Sequence, residues 1–239
     1  MSSGHDFQTL TAAARVAATD LLQTTVRYDL AKYTAETFTR VGEELQAVGH
    51  IFGSDRASGK SPYGHGSDGI VAASLLFRIA GQLTSASADL FADGRHYAAA
   101  ALLRQMVEIE YLAWAFESRD SDAERWLRSN SEERRSFFTP AKLRQAANGK
   151  FRGKDYGYHC ELGGHPVPNA SVLLHRSEVT CQLLLSDLLG HTGRIWDHFL
   201  NWSADNEWAV AIHRQRGDMH RKYDAWKKVD ELLRLPPPP

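Results

Sequence analysis

The stretch Arg95 to Glu117, RHYAAAALLRQMVEIEYLAWAFE, decides the fold of this 239-residue chain. Its apolar residues recur every three or four positions, which predicts an α-helix. They fall on two faces, one with Tyr97, Ala101, Tyr111 and Ala115, the other with Leu103, Met106, Leu112 and Phe116. Because a helix that is apolar on two faces is normally central to its fold, we expect a helical bundle built around this segment.

The same periodicity extends over most of the chain and predicts an all-α, single-domain bundle of about seven helices. Long helices are expected at about Phe7 to Val26, Arg27 to Phe52, Ile70 to Phe91, Val172 to Trp202 and Asn206 to Leu233. Shorter ones are expected at Ser121 to Asn130, from Pro140 to a stop at Asn148-Gly149, and over Tyr156 to Leu162 before Gly163-Gly164. No segment predicts a strand.

These helices suggest four parts of the chain. Residues 1–69 would hold N-terminal helices and a glycine-rich loop, and residues 70–204 the helical core. Residues 205–235 would form a C-terminal helix packed on that core. The four prolines of 236–239 cannot continue a helix, so we expect a disordered tail.

Composition narrows the class of protein. A net charge of −1 argues against binding to nucleic acid or to an anionic membrane through the overall charge of the protein. The two cysteines form no Cys-x-x-Cys pair, which favours a reducing compartment. We see neither a signal peptide nor an apolar run of the ~18 residues that a membrane span needs. A cytoplasmic protein without membrane contact is therefore expected.

Arg104 and Glu108 are the first candidate functional residues. They lie four residues apart in the segment expected to be buried, so they share one face of its helix. Because desolvating charge is costly, the pair needs partners. It is either a salt bridge that fixes helix register or a guanidinium that its carboxylate presents to a phosphate or carboxylate ligand. Glu110 points elsewhere and is expected to be solvated or an ordinary hydrogen-bond partner.

The turn Tyr156 to Pro166, YGYHCELGGHP, is the second candidate. His165 follows two glycines, where backbone can approach a ligand closely, and Pro166 pushes His165 toward an extended backbone. His165 would either cap exposed helix carbonyls or serve as a general acid, base or ligand contact. Tyr156, His159, Glu161 and the preceding Arg152 are candidate ligand-binding residues.

The sequence patterns for three other kinds of site, a phosphate loop, a metal site and a cysteine nucleophile, are weaker. The segment Gly53 to Ser61 resembles a phosphate loop but has five residues between its glycines instead of four, and no strand before it. A metal held by Glu108, His159, Glu161 and His165 lacks the Glu-x-x-His pairs of carboxylate-bridged bundles. Cys160 sits beside His159, but adjacent helical residues point apart. We therefore assign no metal, no cofactor and no cysteine nucleophile.

At these residues the chain resembles a group of bacterial helical proteins of the HEPN-like superfamily. The run Ala101-Leu-Leu-Arg104-Gln-Met-Val-Glu108 is similar to that group's leucine-leucine-arginine…glutamate helix. The turn Tyr156…Cys160-Glu161-x-x-x-His165-Pro166 is similar to its second motif. The resemblance covers roughly residues 70–200. It implies a HEPN-like helical core, a homodimer and, in the ribonucleases of that superfamily, metal-independent RNA cleavage.

The chain departs from the Arg-x(4–6)-His pattern of those ribonucleases. Tyr158, His159 and Cys160 occupy the positions five to seven residues before His165, where that pattern needs arginine. Arg152-x(6)-His159 and Arg214-x(5)-His220 fit formally, but such matches are expected by chance in this composition.

The leading hypothesis is a HEPN-like protein that binds a phosphate-bearing ligand or RNA, and cleaves it, in stress or phage defence. Arg104 would hold the phosphate, Glu108 would orient Arg104, and His165 would move the proton. A non-catalytic dimerising scaffold and, behind it, a metal-dependent bundle enzyme are the alternatives.

Overall fold

A computed structural model describes residues 20–52, 66–119, 121–151 and 153–234 of the chain. Those residues form nine α-helices and no strand, which confirms the all-α class. The helices are α1 (Leu21–Ile51), α2 (Asp68–Ala92), α3 (His96–Ser118), α4 (Ser121–Arg128), α5 (Ser131–Phe137), α6 (Pro140–Ala146), α7 (Gly153–His159), α8 (Glu178–Trp202) and α9 (Val210–Val229). Helix α7 continues as a π-helical turn, Cys160–Gly164, and 3-10 turns cover Pro168–Leu174, Ser203–Asp205 and Glu231–Arg234.

Polar caps explain where several helices begin. The side chains of Asp20, Ser67 and Ser177 accept hydrogen bonds from backbone N–H groups three residues later, in the first turns of α1, α2 and α8. Asn130 and Glu133 form a capping box that starts α5, a helix the sequence did not predict.

Three expected boundaries are wrong. Helix α1 runs without a break through Val26 and Arg27, because no glycine or proline interrupts it there. The segment after Pro168 is a 3-10 turn, so α8 begins only at Glu178. Helix α9 begins at Val210, after two short turns that follow α8. Most of the expected helix from Phe7, the phosphate-loop-like segment and the proline tail lie outside the described residues.

Helices α1, α2, α3, α8 and α9 share one apolar core, with buried residues that run from Leu30 to Trp226. Aromatic rings occupy its centre: the centroid of the Phe77 ring lies 5.3 Å from that of Phe38 and 4.5 Å from that of Phe199. Helices α1 and α2 approach closely because α2 carries a glycine at their contact. A Cβ atom on Gly81 would lie 3.0 Å from the carbonyl oxygen of Ala35.

Helix α2 is the one helix of the described residues that is long and apolar enough to cross a membrane, with a mean hydropathy of 1.3. Because 61% of its most apolar window is buried within the protein, α2 also fits the description of a core helix.

Candidate functional site

Arg104, Glu108 and Tyr156 form a closed polar cluster between α3 and α7. Nη2 of Arg104 donates to the Tyr156 hydroxyl at 2.9 Å, and that hydroxyl donates to Oε1 of Glu108 at 3.0 Å. Arg104 and Glu108 also pair directly at 2.8 Å. Their side chains are 28% and 33% exposed, so the expected full burial of this pair is wrong. Solvent, and therefore a ligand, can reach the cluster.

A second guanidinium lies over the ring of the same tyrosine. The Arg144 guanidinium carbon is 4.5 Å from the Tyr156 ring centroid, and that of Arg104 is 5.7 Å away. Nε of Arg104 and Nη1 of Arg144 have no hydrogen-bond acceptor among the described residues. With two cations and only Glu108 as anion, the cluster carries a net charge of +1.

Hydrogen bonding and burial set the protonation states of this cluster. The hydrogen bond with Tyr156 and the charge of Glu108 raise the pKa of Arg104, although burial opposes them. Burial is also the main cause that raises the pKa of Tyr156. Tyr156 is therefore a neutral phenol at physiological pH, able to accept from Arg104 while it donates to Glu108.

The other predicted site residues are dispersed. His165 is exposed and extended after the π-helical turn, as Pro166 predicted, and its backbone N–H donates to the carbonyl of Cys160. No contact between the His165 side chain and Arg104 is found in the described part of the structure. Glu161 is exposed and accepts from Asn169 at 3.5 Å. Arg152 lies outside the described residues.

His159 belongs instead to a buried cluster between α7 and α8. Its Nε2 lies 3.2 Å from Nε2 of His191 and 3.6 Å from Oδ2 of Asp187. Oδ1 of Asp187 is 3.5 Å from Nε2 of His191, so each carboxylate oxygen faces one imidazole. The histidine side chains are 4% and 6% exposed, whereas that of Asp187 is 35% exposed.

Helix α3 supports this second cluster through Glu110. Oε2 of Glu110 lies 2.6 Å from Nδ1 of His191, and Nε of Arg194 donates to Oε1 at 2.8 Å. Burial alone would raise the pKa of Glu110, but the hydrogen bond and charge of His191, together with Arg194, lower it to about 2. The expectation that Glu110 is solvated is therefore wrong. Glu110 is a buried carboxylate that serves as a hydrogen-bond partner, which was the alternative expectation.

The charge on Glu110 determines the tautomer of His191. A carboxylate can only accept, so Nδ1 of His191 must carry the proton of their 2.6 Å contact. Nη2 of Arg194 lies 2.8 Å from the same nitrogen, but both groups are then donors and that contact is not a hydrogen bond. In neutral His191, Nε2 therefore presents a lone pair toward His159 and Asp187.

Gly163 lets the segment that carries Tyr156 and His159 pack against α3. A Cβ atom on Gly163 would lie 2.5 Å from the backbone nitrogen of Ala101 and 2.6 Å from the carbonyl carbon of Ala100. Only glycine permits this approach, so a residue that the sequence suggested for ligand contact serves helix packing.

One pattern in the sequence marks two members of the second cluster. Asp187-x-x-x-His191 places a carboxylate and an imidazole one helical turn apart, a spacing that differs from the Glu-x-x-His pairs of carboxylate-bridged bundles. The third member, His159, lies 28 residues before Asp187 and only the fold brings it near.

A cavity of about 250 Å³ lies apart from both clusters, among α4, α5 and α6. Its lining includes none of the predicted site residues; it is formed by Arg119, Asp122, Arg125, Ser136, Phe137, Phe138, Lys142, Gln145 and Ala146.

Comparison of the chain with protein-family models, with curated proteins and with solved structures gave no match. The HEPN-like resemblance therefore stays a prediction.

Proposed function

We propose that this protein binds a phosphate-bearing ligand at the cluster of Arg104, Tyr156, Glu108 and Arg144. The observation that carries the proposal is the pair of guanidiniums on one tyrosine ring, of which only Arg104 has a carboxylate partner within the described residues. Planar guanidiniums recognise oxyanions through paired N–H donors. A phosphate bound at the exposed part of the cluster would neutralise the net positive charge.

Each residue then has a separate task. Glu108 and the Tyr156 hydroxyl hold the Arg104 guanidinium in one orientation, which lowers the entropy lost when a ligand binds. Arg144 supplies the unneutralised charge and, over the aromatic face, remains partly desolvated. This supports binding more directly than cleavage, because His165, the expected proton carrier, makes no contact with Arg104 in the described residues.

Isothermal titration calorimetry with inorganic phosphate and, separately, with a short RNA oligonucleotide tests the proposal. Wild type should bind at least one of them, and both Arg104→Gln and Arg144→Gln should weaken that binding about tenfold or more. Arg40→Gln is the matched control, because Arg40 is exposed on α1 and its guanidinium donates a hydrogen bond to Gln215, away from the cluster. Absence of binding to wild type, or equal binding by all variants, would overturn the proposal.

Two further measurements separate the alternatives. Incubation with mixed RNA, comparing wild type with His165→Ala, tests ribonuclease activity; a pattern of fragments lost in the variant would extend the function from binding to cleavage. If Arg104→Ala unfolds the protein while phosphate and RNA leave wild type unaffected, the cluster serves packing, as in the scaffold alternative. Homodimerisation, cytoplasmic location and a defence role stay predictions.

A further inference from the structure

We infer that His159, Asp187 and His191 form a binding site for one divalent transition-metal ion, with Glu110 orienting His191. The inference does not depend on phosphate binding, since none of these residues belongs to the cluster around Tyr156.

The distances between the candidate ligand atoms fit one ion. Metal bonds of about 2.1 Å hold neighbouring ligand atoms about 3.0–3.4 Å apart in octahedral and tetrahedral sites. The Nε2 atoms of the two histidines are 3.2 Å apart, and they lie 3.6 and 3.5 Å from different oxygens of Asp187. One ligand atom from each residue lies within 4.8 Å of the other two, so a rotation of the Asp187 carboxylate would complete the site. Asp187 and His191 lie one helical turn apart on α8, and α7 brings the third ligand, His159, to them.

The chemistry of the donors narrows the class of ion. Two imidazoles and a carboxylate suit zinc, iron, nickel or copper, whereas magnesium and calcium prefer oxygen ligands alone. The Nδ1–H of His191 is taken up by Glu110, which leaves Nε2 as the ligand atom. A histidine whose second nitrogen donates to a carboxylate is the usual arrangement around protein-bound metals.

Charge also favours a cation at this position. Glu110 and Asp187 contribute two negative charges, and Arg194, which pairs with Glu110, contributes one positive charge. With neutral histidines, these residues together carry one negative charge. A divalent ion would offset this charge where water screens it little.

The exposure of the ligands shows how the ion would enter and what it could do. The histidines are buried, but Asp187 is 35% exposed and opens the site to solvent on one side. Three protein ligands leave at least one coordination position for water or another ligand, the pattern of reactive rather than purely structural zinc sites.

A second histidine–carboxylate pair provides a matched control within the same two helices. His198 on α8 pairs with Glu117 on α3, seven residues beyond His191 and Glu110 on each helix. His198 is also nearly buried, but the described residues place no second imidazole beside it. Replacing His198 therefore reproduces the loss of a buried pair without removing a metal ligand.

The test titrates untagged, chelator-treated protein with Zn²⁺ and, separately, with Mg²⁺. Wild type should bind one Zn²⁺ per chain and should not bind Mg²⁺ measurably. His159→Asn, Asp187→Asn and His191→Asn should each weaken Zn²⁺ binding at least 100-fold, and His198→Asn should leave it unchanged. Glu110→Gln should weaken it about 10- to 100-fold, as expected for a residue that acts through a ligand.

Two readouts keep the result clear if a histidine variant folds poorly. Asp187→Asn alters a partly exposed side chain and should remain folded, as circular dichroism would show. In wild type, Zn²⁺ should shift the imidazole nitrogen resonances of His159 and His191 but not that of His198. Absence of Zn²⁺ binding, equal affinity in Asp187→Asn, or shifts at His198 alone would overturn the inference.

Discussion

Arg27 and Asp230, 203 residues apart in the chain, form a buried two-point salt bridge that ties α1 to the segment after α9. Nε of Arg27 donates to Oδ2 of Asp230 at 2.8 Å, and Nη2 donates to Oδ1 at 2.7 Å. The guanidinium also donates to Gln182 on α8, and Trp226 donates to the same carboxylate. The bridge thus joins three of the five core helices.

Asp230→Ala should therefore lower the free energy of unfolding by about 3–5 kcal/mol, because it leaves the Arg27 charge buried without its partner. Urea unfolding measures this change. Glu44→Gln is the control: Glu44 pairs with Arg214 at the surface, where both side chains are at least 36% exposed. That variant should change the free energy by less than about 1 kcal/mol. Equal effects of the two variants on the free energy of unfolding would show that the buried bridge stabilises the fold no more than the surface pair does.

The same carboxylate predicts a loss of stability in acid. Burial raises the pKa of Asp230, but hydrogen bonds and the charge of Arg27 outweigh it and lower the pKa below the ordinary 3.8. A depressed folded-state pKa stabilises the fold above the unfolded-state value, and this contribution is lost as the pH falls through the folded-state value. Wild type should lose stability below about pH 4 more steeply than Asp230→Asn. Parallel urea midpoints between pH 6 and 3 would contradict this.

Two glycines six residues apart should respond oppositely to substitution. Gly163→Ala places a methyl group against the backbone of Ala101 and should cost about 1–3 kcal/mol, because backbone cannot move aside cheaply. It should also weaken Zn²⁺ binding, since the same segment carries His159. Gly157→Ala, with no atom within 4 Å of its Cβ position, should stabilise the helix by about 0.5–1 kcal/mol. Urea unfolding and zinc titration of both variants check this, and a tolerated Gly163→Ala would disprove the close approach.

Metal should stabilise the folded chain. At a free Zn²⁺ concentration 100 times the dissociation constant, binding adds about 2.7 kcal/mol to the free energy of unfolding. For a chain of this size, that raises Tm by about 5–10 °C. The measurement is thermal unfolding with Zn²⁺ and after its removal by a chelator. His198→Asn should show the same rise as wild type, and Asp187→Asn should show almost none.

The sequence predicted the helices well where periodicity was long and continuous. Helix α2 ends at Ala92, one residue beyond the expected Phe91, and Gly94 follows it at a φ of 72°. On the two expected faces of α3, five residues are buried and three are only half-buried: Leu103, Met106, Tyr111, Ala115 and Phe116 against Tyr97, Ala101 and Leu112. Prediction failed where a local capping group set the boundary. Asn130 starts a further helix, and Ser177 delays α8, although nothing in the apolar pattern marks either position.

Long-range contacts limited the prediction of the sites. The pairing of Arg104 with Glu108 follows from their spacing of one helical turn, and the structure adds to them Tyr156, a candidate ligand-binding residue. Arg144 came close to the same ring only through the packing of α6, which no spacing shows. His191 was missed for the same reason: its partners Glu110 and His159 lie 81 and 32 residues away.

The π-helical turn Cys160–Gly164 bears on how relatives of this chain could be recognised. Its hydrogen bond runs from the N–H of His165 to the carbonyl of Cys160, five residues back, so the turn holds one residue more than an α-helical turn would. Deleting a single residue there would restore ordinary helical winding and keep both flanks intact. An alignment that allows a one-residue gap between Cys160 and His165 would therefore find homologues that a fixed-spacing pattern rejects.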